Sequence, residues 1–184
     1  MNYHNITYPD MNNGSGLRVV LWCSACSHHC VGCQNPQTWD TNSGIPFDEK
    51  AEKELFRELS KDYISGLTLT GGDPLHENNL DDILRIVNRF RLLMPEKTIW
   101  LYTGYEISVI TNNKIYLSIL GEKNPNIEAY EKRHKIISMC NVVVDGRYID
   151  SQRNIQLKYR GSENQRVIDV QESLKQNKVV LYCD

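Results

Sequence analysis

This sequence has little that is long and apolar. Its longest hydrophobic runs, such as "VVLWC" at 19–23, fall far short of the roughly 20 residues that a bilayer-spanning helix needs. No membrane partner is therefore expected. Net charge is also nearly absent: 21 Lys and Arg against 23 Asp and Glu leave −2, which gives no general pull towards nucleic acid or an anionic surface. The start, "MNYHNITYPDMNNGSG", lacks the basic opening and apolar centre of a signal peptide, so a cytoplasmic protein is expected. No G-x-G-x-x-G opens a helix after a strand, and no G-x-S-x-G occurs, which removes the dinucleotide-binding and serine-hydrolase readings. Cysteine is scarce too, at six in 184 residues, yet four of the six fall between 23 and 33.

The rest reads as one α/β domain spanning 1–184, with no repeat, low-complexity stretch or dividing linker. "RVVLWC" (18–23) suits a strand buried on both faces. A helix is expected over 48–63, with Asp48 as N-cap and Ala51, Leu55, Phe56, Leu59 and Tyr63 facing inward. "GLTLTGGDP" (66–74) reads as a strand stopped by a diglycine and a proline. A helix follows from 78, with Leu80, Ile83, Leu84, Val87 and Phe90 inward, and closes near Pro95. Residues 97–105 predict a strand, 106–120 a short helix and loop, 121–126 a turn and 127–140 a helix. Further strands are expected at 141–148, 155–162 and 178–183. Alternating strand and helix imply a mostly parallel sheet. Ligands of such folds gather at the carboxyl ends of the strands. The cysteine loop, Gly71–Gly72–Asp73, Thr103–Gly104 and Asp145–Gly146 all fall at such ends.

The cysteines are spaced Cys23-x2-Cys26-x3-Cys30-x2-Cys33. In a cytoplasmic chain this favours metal or redox chemistry over disulfides. Three readings remain: four thiolates around zinc, an iron–sulfur cluster on Cys26, Cys30 and Cys33 alone, or a loop of unrelated free thiols. Cys23 ends an apolar strand, where cysteine usually acts as a small hydrophobe. Three thiolates on one short loop suit a cubane whose fourth iron stays open to a small molecule. His28 and His29 are expected to shape the loop or meet a partner rather than bind metal, and Trp39 to pack under it. Alone, Gly71–Gly72–Asp73 is a strand-to-helix turn, and 160–166 a solvated turn. Arg147 and Arg166 read as surface residues, and Cys140 and Cys183 as buried or incidental.

C-x3-C-x2-C in the loop after an early strand resembles the signature of radical S-adenosylmethionine (SAM) enzymes. "NGSG" (13–16), "CSHHCVGCQNPQTW" (26–39), "TGGDPL" (70–75), "YTGY" (102–105), "VVDGR" (143–147) and "YRGSENQRVIDV" (159–170) narrow the likeness. In this order they resemble the activators of anaerobic ribonucleoside-triphosphate reductase, within the glycyl-radical-enzyme activating family. His28 matches the family's C-x-H-x-C. Ser15 stands where the family usually has proline, and 106–137 looks longer than the family's segment.

The resemblance implies a partial, incomplete TIM-type barrel and a [4Fe–4S] cluster on Cys26, Cys30 and Cys33. It places the backbone of Gly32 and Gln34 against the adenine of SAM, and Gly71, Gly72 and Asp73 at its amino group. Asn164, with Arg160, Ser162 and Gln165, would meet the ribose or carboxylate. Gly72 and Asp73 are thus expected to serve SAM more than the fold. The implied partners are the catalytic subunit of the reductase, whose glycine becomes a radical, and a low-potential electron donor such as reduced flavodoxin. Two other functions stay open at this point: a radical SAM enzyme acting on a small molecule, and a four-cysteine zinc-binding interaction module.

Overall fold

The computed structural model describes residues 1–111, 114–118 and 126–183. Strand β1 (Asn2–Asp10) lies antiparallel to β2 (Arg18–Cys23), and the short β3 (Ile45–Pro46) pairs with the outer side of β1. From β2 the chain winds in one direction. Helix α1 (Glu49–Leu59) leads to β4 (Gly66–Gly71), and α2 (Leu80–Leu93) to β5 (Thr98–Tyr102). A separate antiparallel pair, β6 (Glu106–Thr111) and β7 (Lys114–Ser118), precedes α3 (Ile127–Ser138) and β8 (Val142–Asp145). Strand β9 (Arg166–Asp169), helix α4 (Val170–Gln176) and β10 (Leu181–Cys183) complete the order.

The main sheet runs β10-β9-β8-β5-β4-β2-β1-β3. Its ends do not pair among the described residues, so it stays open. Strands β2, β4, β5 and β8 are parallel neighbours, while the flanking pairs are antiparallel. The expected parallel sheet is therefore its centre only. Parallel neighbours need a long crossover, which the helices supply; β1–β2 and β8–β9 are joined without one and reverse direction.

Alternation along the strands gives the sheet two different faces. Val19, Leu21, Cys23, Leu67, Leu69, Ile99 and Leu101 share one core with Leu55 and Leu59 of α1, Val87 and Phe90 of α2, Ile136 of α3 and Val170 of α4. The other face has a smaller cluster of Trp100, Val142, Val144 and Val167.

Several expectations shift. Asp48 does cap α1, accepting from the Ala51 amide at 2.9 Å. The helix stops at Leu59, however, and a turn carries Ile64 into the core while Tyr63 is 54% exposed. Ile86 joins the inward face of α2, and Leu84 is only partly buried. The helix expected within 106–120 is instead the β6–β7 pair, whose Ile107, Ile110, Ile115 and Leu117 are buried. The turn expected over 121–126 lies outside the described residues except for Asn126, which caps α3. The strand expected at 155–162 does not form, apart from one bridge between Arg153 and Ser162. Tyr159 there takes a positive φ of 62° and sets its ring 4.8 Å from Trp100. Strands β1 and β9 were not legible in advance.

Arg18 is fully buried on the second face, with no carboxylate among its hydrogen-bond partners. Its Nε donates to Thr68 Oγ1 at 2.6 Å, Nη1 to Ser15 O at 3.0 Å and Nη2 to Leu67 O at 2.6 Å. Both Nη atoms also reach Thr98. Burial lowers its pKa to about 10, so it stays charged at neutral pH. Gly14, at φ +130°, lies over it: a Cβ there would stand 2.7 Å from Arg18 Cδ and 2.9 Å from Trp100. The "NGSG" segment is thus a lid on a buried guanidinium. Arg18→Met strands several buried oxygens and is expected to cost about 3 kcal/mol. Urea unfolding would measure it, with the exposed Lys53→Met as control; equal losses in the two variants would refute this role.

Candidate functional site

The cysteine loop leaves β2 at the carboxyl rim of the parallel strands. Cys23 is fully buried with the helix-facing core, whereas Cys26, Cys30 and Cys33 are partly exposed on the loop. Local bonds shape it: the Cys26 amide donates to Trp39 O at 3.1 Å, and the Cys33 amide to Cys30 O at 3.1 Å. Ala25 and His29 adopt left-handed φ values of 70° and 45°, a strain of roughly 1–2 kcal/mol each that the surrounding contacts must offset. The His29 ring packs against Trp39, tilted, with ring centroids 4.9 Å apart, so Trp39 does support the loop.

Burial, then the nearby Asp73 charge, push the Cys26 thiol up to about 12, while the amides of His28 and His29 work the other way. Burial also raises Cys30, opposed by the Tyr148 amide, and the Asn35 amide donates to Cys33 Sγ at 3.3 Å. Each loop sulfur thus has an amide donor suited to a thiolate. Burial raises Cys23 furthest, as for an inert core thiol. Zinc would need several donors around one ion. Among the described residues no three Cys, His, Asp or Glu side chains converge in that way. A cubane spreads its thiolates over separate irons and makes no such demand.

Behind the loop, Asp73 is 2% exposed. Its carboxylate accepts from His28 Nε2 at 2.7 Å, Thr103 Oγ1 at 2.9 Å, the Gly104 amide at 3.0 Å and the Leu75 amide at 2.8 Å. Burial pushes this acid up, but the His28 bond and charge, with the Gly104 and Leu75 amides, hold it below the usual carboxylate range. Its backbone is committed as well: the Asp73 amide donates to Ala25 O at 2.8 Å, and Asn79 Nδ2 bridges Asp73 O and Ser24 O. The diglycine is equally constrained. A Cβ on Gly72 would lie 2.6 Å from Ala25 O, and one on Gly71, at φ +102°, 2.8 Å from the Cys23 backbone. The fold itself therefore requires both glycines, beyond any service to a ligand.

Beside the loop, on the second face, lies a cavity of about 460 Å³, within the ~300–1,000 Å³ usual for small-molecule sites. Asn13, Trp22, Gln34, Thr70, Tyr102 and Arg160 are among its lining residues, and Arg160 Nε is buried without a partner. Of the residues expected near a ligand, Gln34, Arg160 and Gln165 line this cavity. Gly32 sits on the exposed loop against Asp150. Asn164 is spent on the fold, donating to Arg147 O at 2.8 Å and accepting from Ser162 Oγ at 2.7 Å. The Asp145 strand end is structural too: its buried carboxylate accepts from Arg166 and from the Ile107 amide, so Arg166 is no free surface residue. Sequence reasoning missed Asn13, Thr70 and Tyr102. The signal available for the last two was alternation, since Thr68 and Thr70, like Trp100 and Tyr102, sit two apart opposite the apolar positions.

A family profile described as "4Fe-4S single cluster domain" matches residues 12–168. An anaerobic ribonucleoside-triphosphate reductase-activating protein of Escherichia coli (strain K12) is 37% identical over 169 residues, covering 91% of this chain and 97% of its own. The protein of that name from Enterobacteria phage T4 is 39% identical over 169 residues, covering 91% and 93%. That of Vibrio cholerae is 35% identical over 167 residues, covering 90% and 96%. This chain belongs to the anaerobic ribonucleoside-triphosphate reductase-activating protein family. The match supports an iron–sulfur site over zinc.

Two outcomes follow for the activating-protein site. After anaerobic reconstitution, Cys26→Ala, Cys30→Ala and Cys33→Ala should each lose bound iron and Cys23→Ala should keep it; iron loss in Cys23→Ala matching that in Cys30→Ala would contradict the three-ligand site. Gly72→Val, which forces a side chain onto Ala25 O, should lower the thermal midpoint even before iron is added. An unchanged midpoint would show that the rim does not need this glycine.

Proposed function

We propose that the protein is a radical SAM activating enzyme, built as a partial TIM-type barrel, that generates a glycyl radical on the catalytic subunit of an anaerobic ribonucleotide reductase. The observation that carries this is the pairing of two features: three amide-supported thiols on one loop, and a polar cavity on the other face of the sheet, lined by Gln34 and Asn35 immediately after Cys33. The helices share one side of a singly wound parallel centre, which is the arrangement of part of a barrel.

The donor set fits a cubane with Cys26, Cys30 and Cys33 as its protein ligands. The cavity fits SAM in chemistry: the unpartnered Arg160 Nε offers a donor to a carboxylate, and Tyr102 and Trp22 offer aromatic surface. Gly32 and Gln34 would border the adenine. The amides of Gly72 and Asp73 donate within the fold and the Asp73 carbonyl accepts from Asn79, so Gly71 and Gly72 would meet the ammonium group through backbone carbonyls, with Asp73 holding that strand end from behind. Asn164 would act from behind, holding the turn that presents Arg160 and Gln165. The chemistry supplied by bound cluster and SAM is one-electron cleavage of the sulfonium to methionine and a 5′-deoxyadenosyl radical, which takes a hydrogen atom from the partner's glycine. The electron would come from a low-potential donor such as reduced flavodoxin, in the cytoplasm. This chain's own part is to hold, orient and shield.

The reductase relatives' names supply the partner. The test is direct: mix the reduced protein, SAM and an anaerobic reductase, and record an electron paramagnetic resonance spectrum. A glycyl radical on the reductase chain, absent with Cys30→Ala, is expected. SAM cleavage with turnover of a small molecule and no protein radical would refute the assignment.

A further inference from the structure

The loop that carries Cys26 is held on both sides by one residue. On the amino side of Cys26, Ala25 O accepts from the Asp73 amide at 2.8 Å. On its carboxyl side, His28 Nε2 meets Asp73 Oδ2 at 2.7 Å. With a carboxylate oxygen as its partner, Nε2 is the donor of this bond. Cys26 thus rides on a short arch whose two feet both stand on Asp73, the residue that follows the diglycine.

The histidine ring has little freedom within this arch. Gly104 packs so closely that a Cβ there would lie 2.3 Å from His28 Cδ2. Tyr105 meets the ring edge-on at 4.8 Å, and the Arg133 guanidinium lies 4.7 Å from the Tyr105 ring. His28 Nδ1 is buried and unpartnered, so among the described residues the bond to Asp73 is the ring's one side-chain tether. A buried histidine serving only to fill space would not need a charged acceptor on one nitrogen while leaving the other unsatisfied. A carboxylate on a histidine also fixes orientation more firmly than a neutral acceptor does.

We propose that His28 is a positioning residue: its bond to Asp73 fixes Cys26, and with it the cluster, relative to the diglycine strand end, so that SAM and the open iron meet in register. This rests on the SAM-binding reading above. It gives Asp73 a double part, with its backbone amide anchoring Ala25 and its carboxylate anchoring His28. It also accounts for the absence of a side chain at Gly104, since the ring occupies that space.

The test compares wild type with His28→Ala, His28→Gln, Asp73→Asn, Gly104→Ala and the double variant His28→Ala/Asp73→Asn. All are reconstituted anaerobically, and four properties are read: iron and sulfide content, thermal midpoint, SAM dissociation constant, and the SAM-induced change in the paramagnetic resonance of the reduced cluster. His28→Ala should keep its iron yet bind SAM about tenfold more weakly, with a reduced SAM-induced spectral change. His28→Gln, whose amide can still donate to Asp73, should recover most of both. Gly104→Ala, which displaces the ring while leaving His28 and Asp73 themselves unaltered, should resemble His28→Ala. The double variant should be no worse in SAM binding than its worse single parent, because the residues act as a unit. Wild-type SAM affinity and spectrum in His28→Ala would overturn the proposal, as would loss of iron in His28→Gln as well as His28→Ala. If wild type itself holds a cluster that SAM leaves unchanged, the SAM reading falls and the positioning role falls with it. Failure confined to the variant comparison overturns the positioning role alone.

Discussion

The Asp73 carboxylate joins three strand ends while exposing almost none of itself. His28 belongs to the loop after β2, Leu75 to the turn after β4, and Thr103 and Gly104 to the end of β5. Removing a carboxylate from water costs several kcal/mol unless its lone pairs are met. Here they are met only when all three ends are in place. A partly assembled rim would leave a buried charge short of donors, and in a low-dielectric setting that shortfall is large. The rim is therefore expected to form as a unit, which suits a place where atoms from separate strands must keep fixed distances. The same logic explains the strained backbone at Ala25 and His29. Those dihedrals are tolerable because Asp73 holds Ala25 itself and His28, the neighbour of His29.

A second buried charge organises the opposite end of the sheet. Arg18 has no carboxylate, so oxygen dipoles from Ser15, Leu67, Thr68 and Thr98 carry its solvation. These come from the first segment and from the starts of neighbouring strands. Arg18 thus seals the amino end of the helix-free face, and Asp73 knits the carboxyl end. Between them the cavity is left open, covered by residues 157–165 and not by a helix. A face covered by loops can be lined with polar groups, since loop backbone and side chains can satisfy one another. The large helix-packed core on the other face can then remain almost wholly apolar.

What the sequence disclosed follows from where its signals were strong. The α1 cap, the α2 face and the four parallel strands rest on periodicity and capping chemistry, both local. The placement of Cys26, Cys30 and Cys33 together on one partly exposed loop, apart from buried Cys23, rests on spacing, also local. The misreadings are those in which tertiary contact outweighs local pattern. Residues 106–118 bury Ile107, Ile110, Ile115 and Leu117 on two short strands, and a register shift between Ile107 and Val109 breaks any period of two that could have marked them. Residues 155–162 have strand-like composition, yet Tyr159 is drawn across to Trp100 and the chain bends. Strand β1 has few apolar residues because only one of its faces is covered. At the site, backbone and side chain divided roles in ways that residue type cannot reveal. Asn164 and Asp145 are polar residues at the carboxyl rim of the sheet, and both are consumed by neighbouring turns and strands.

The glycines make the same point most sharply. A diglycine at a strand end invites a ligand-centred explanation, because glycine lets a small molecule approach the backbone. Gly71 and Gly72, though, lie against the backbone of Cys23, Ser24 and Ala25, and Gly104 against the ring of His28. In each case the space a side chain would fill is taken by the cysteine loop. The two explanations are not rivals. Bringing a cluster-bearing loop within reach of a ligand on the next strand requires the backbones to approach more closely than side chains allow. The glycines that permit this approach are then also the ones that leave the backbone bare. Packing at these positions is thus the means by which the loop and the cavity come to share one rim.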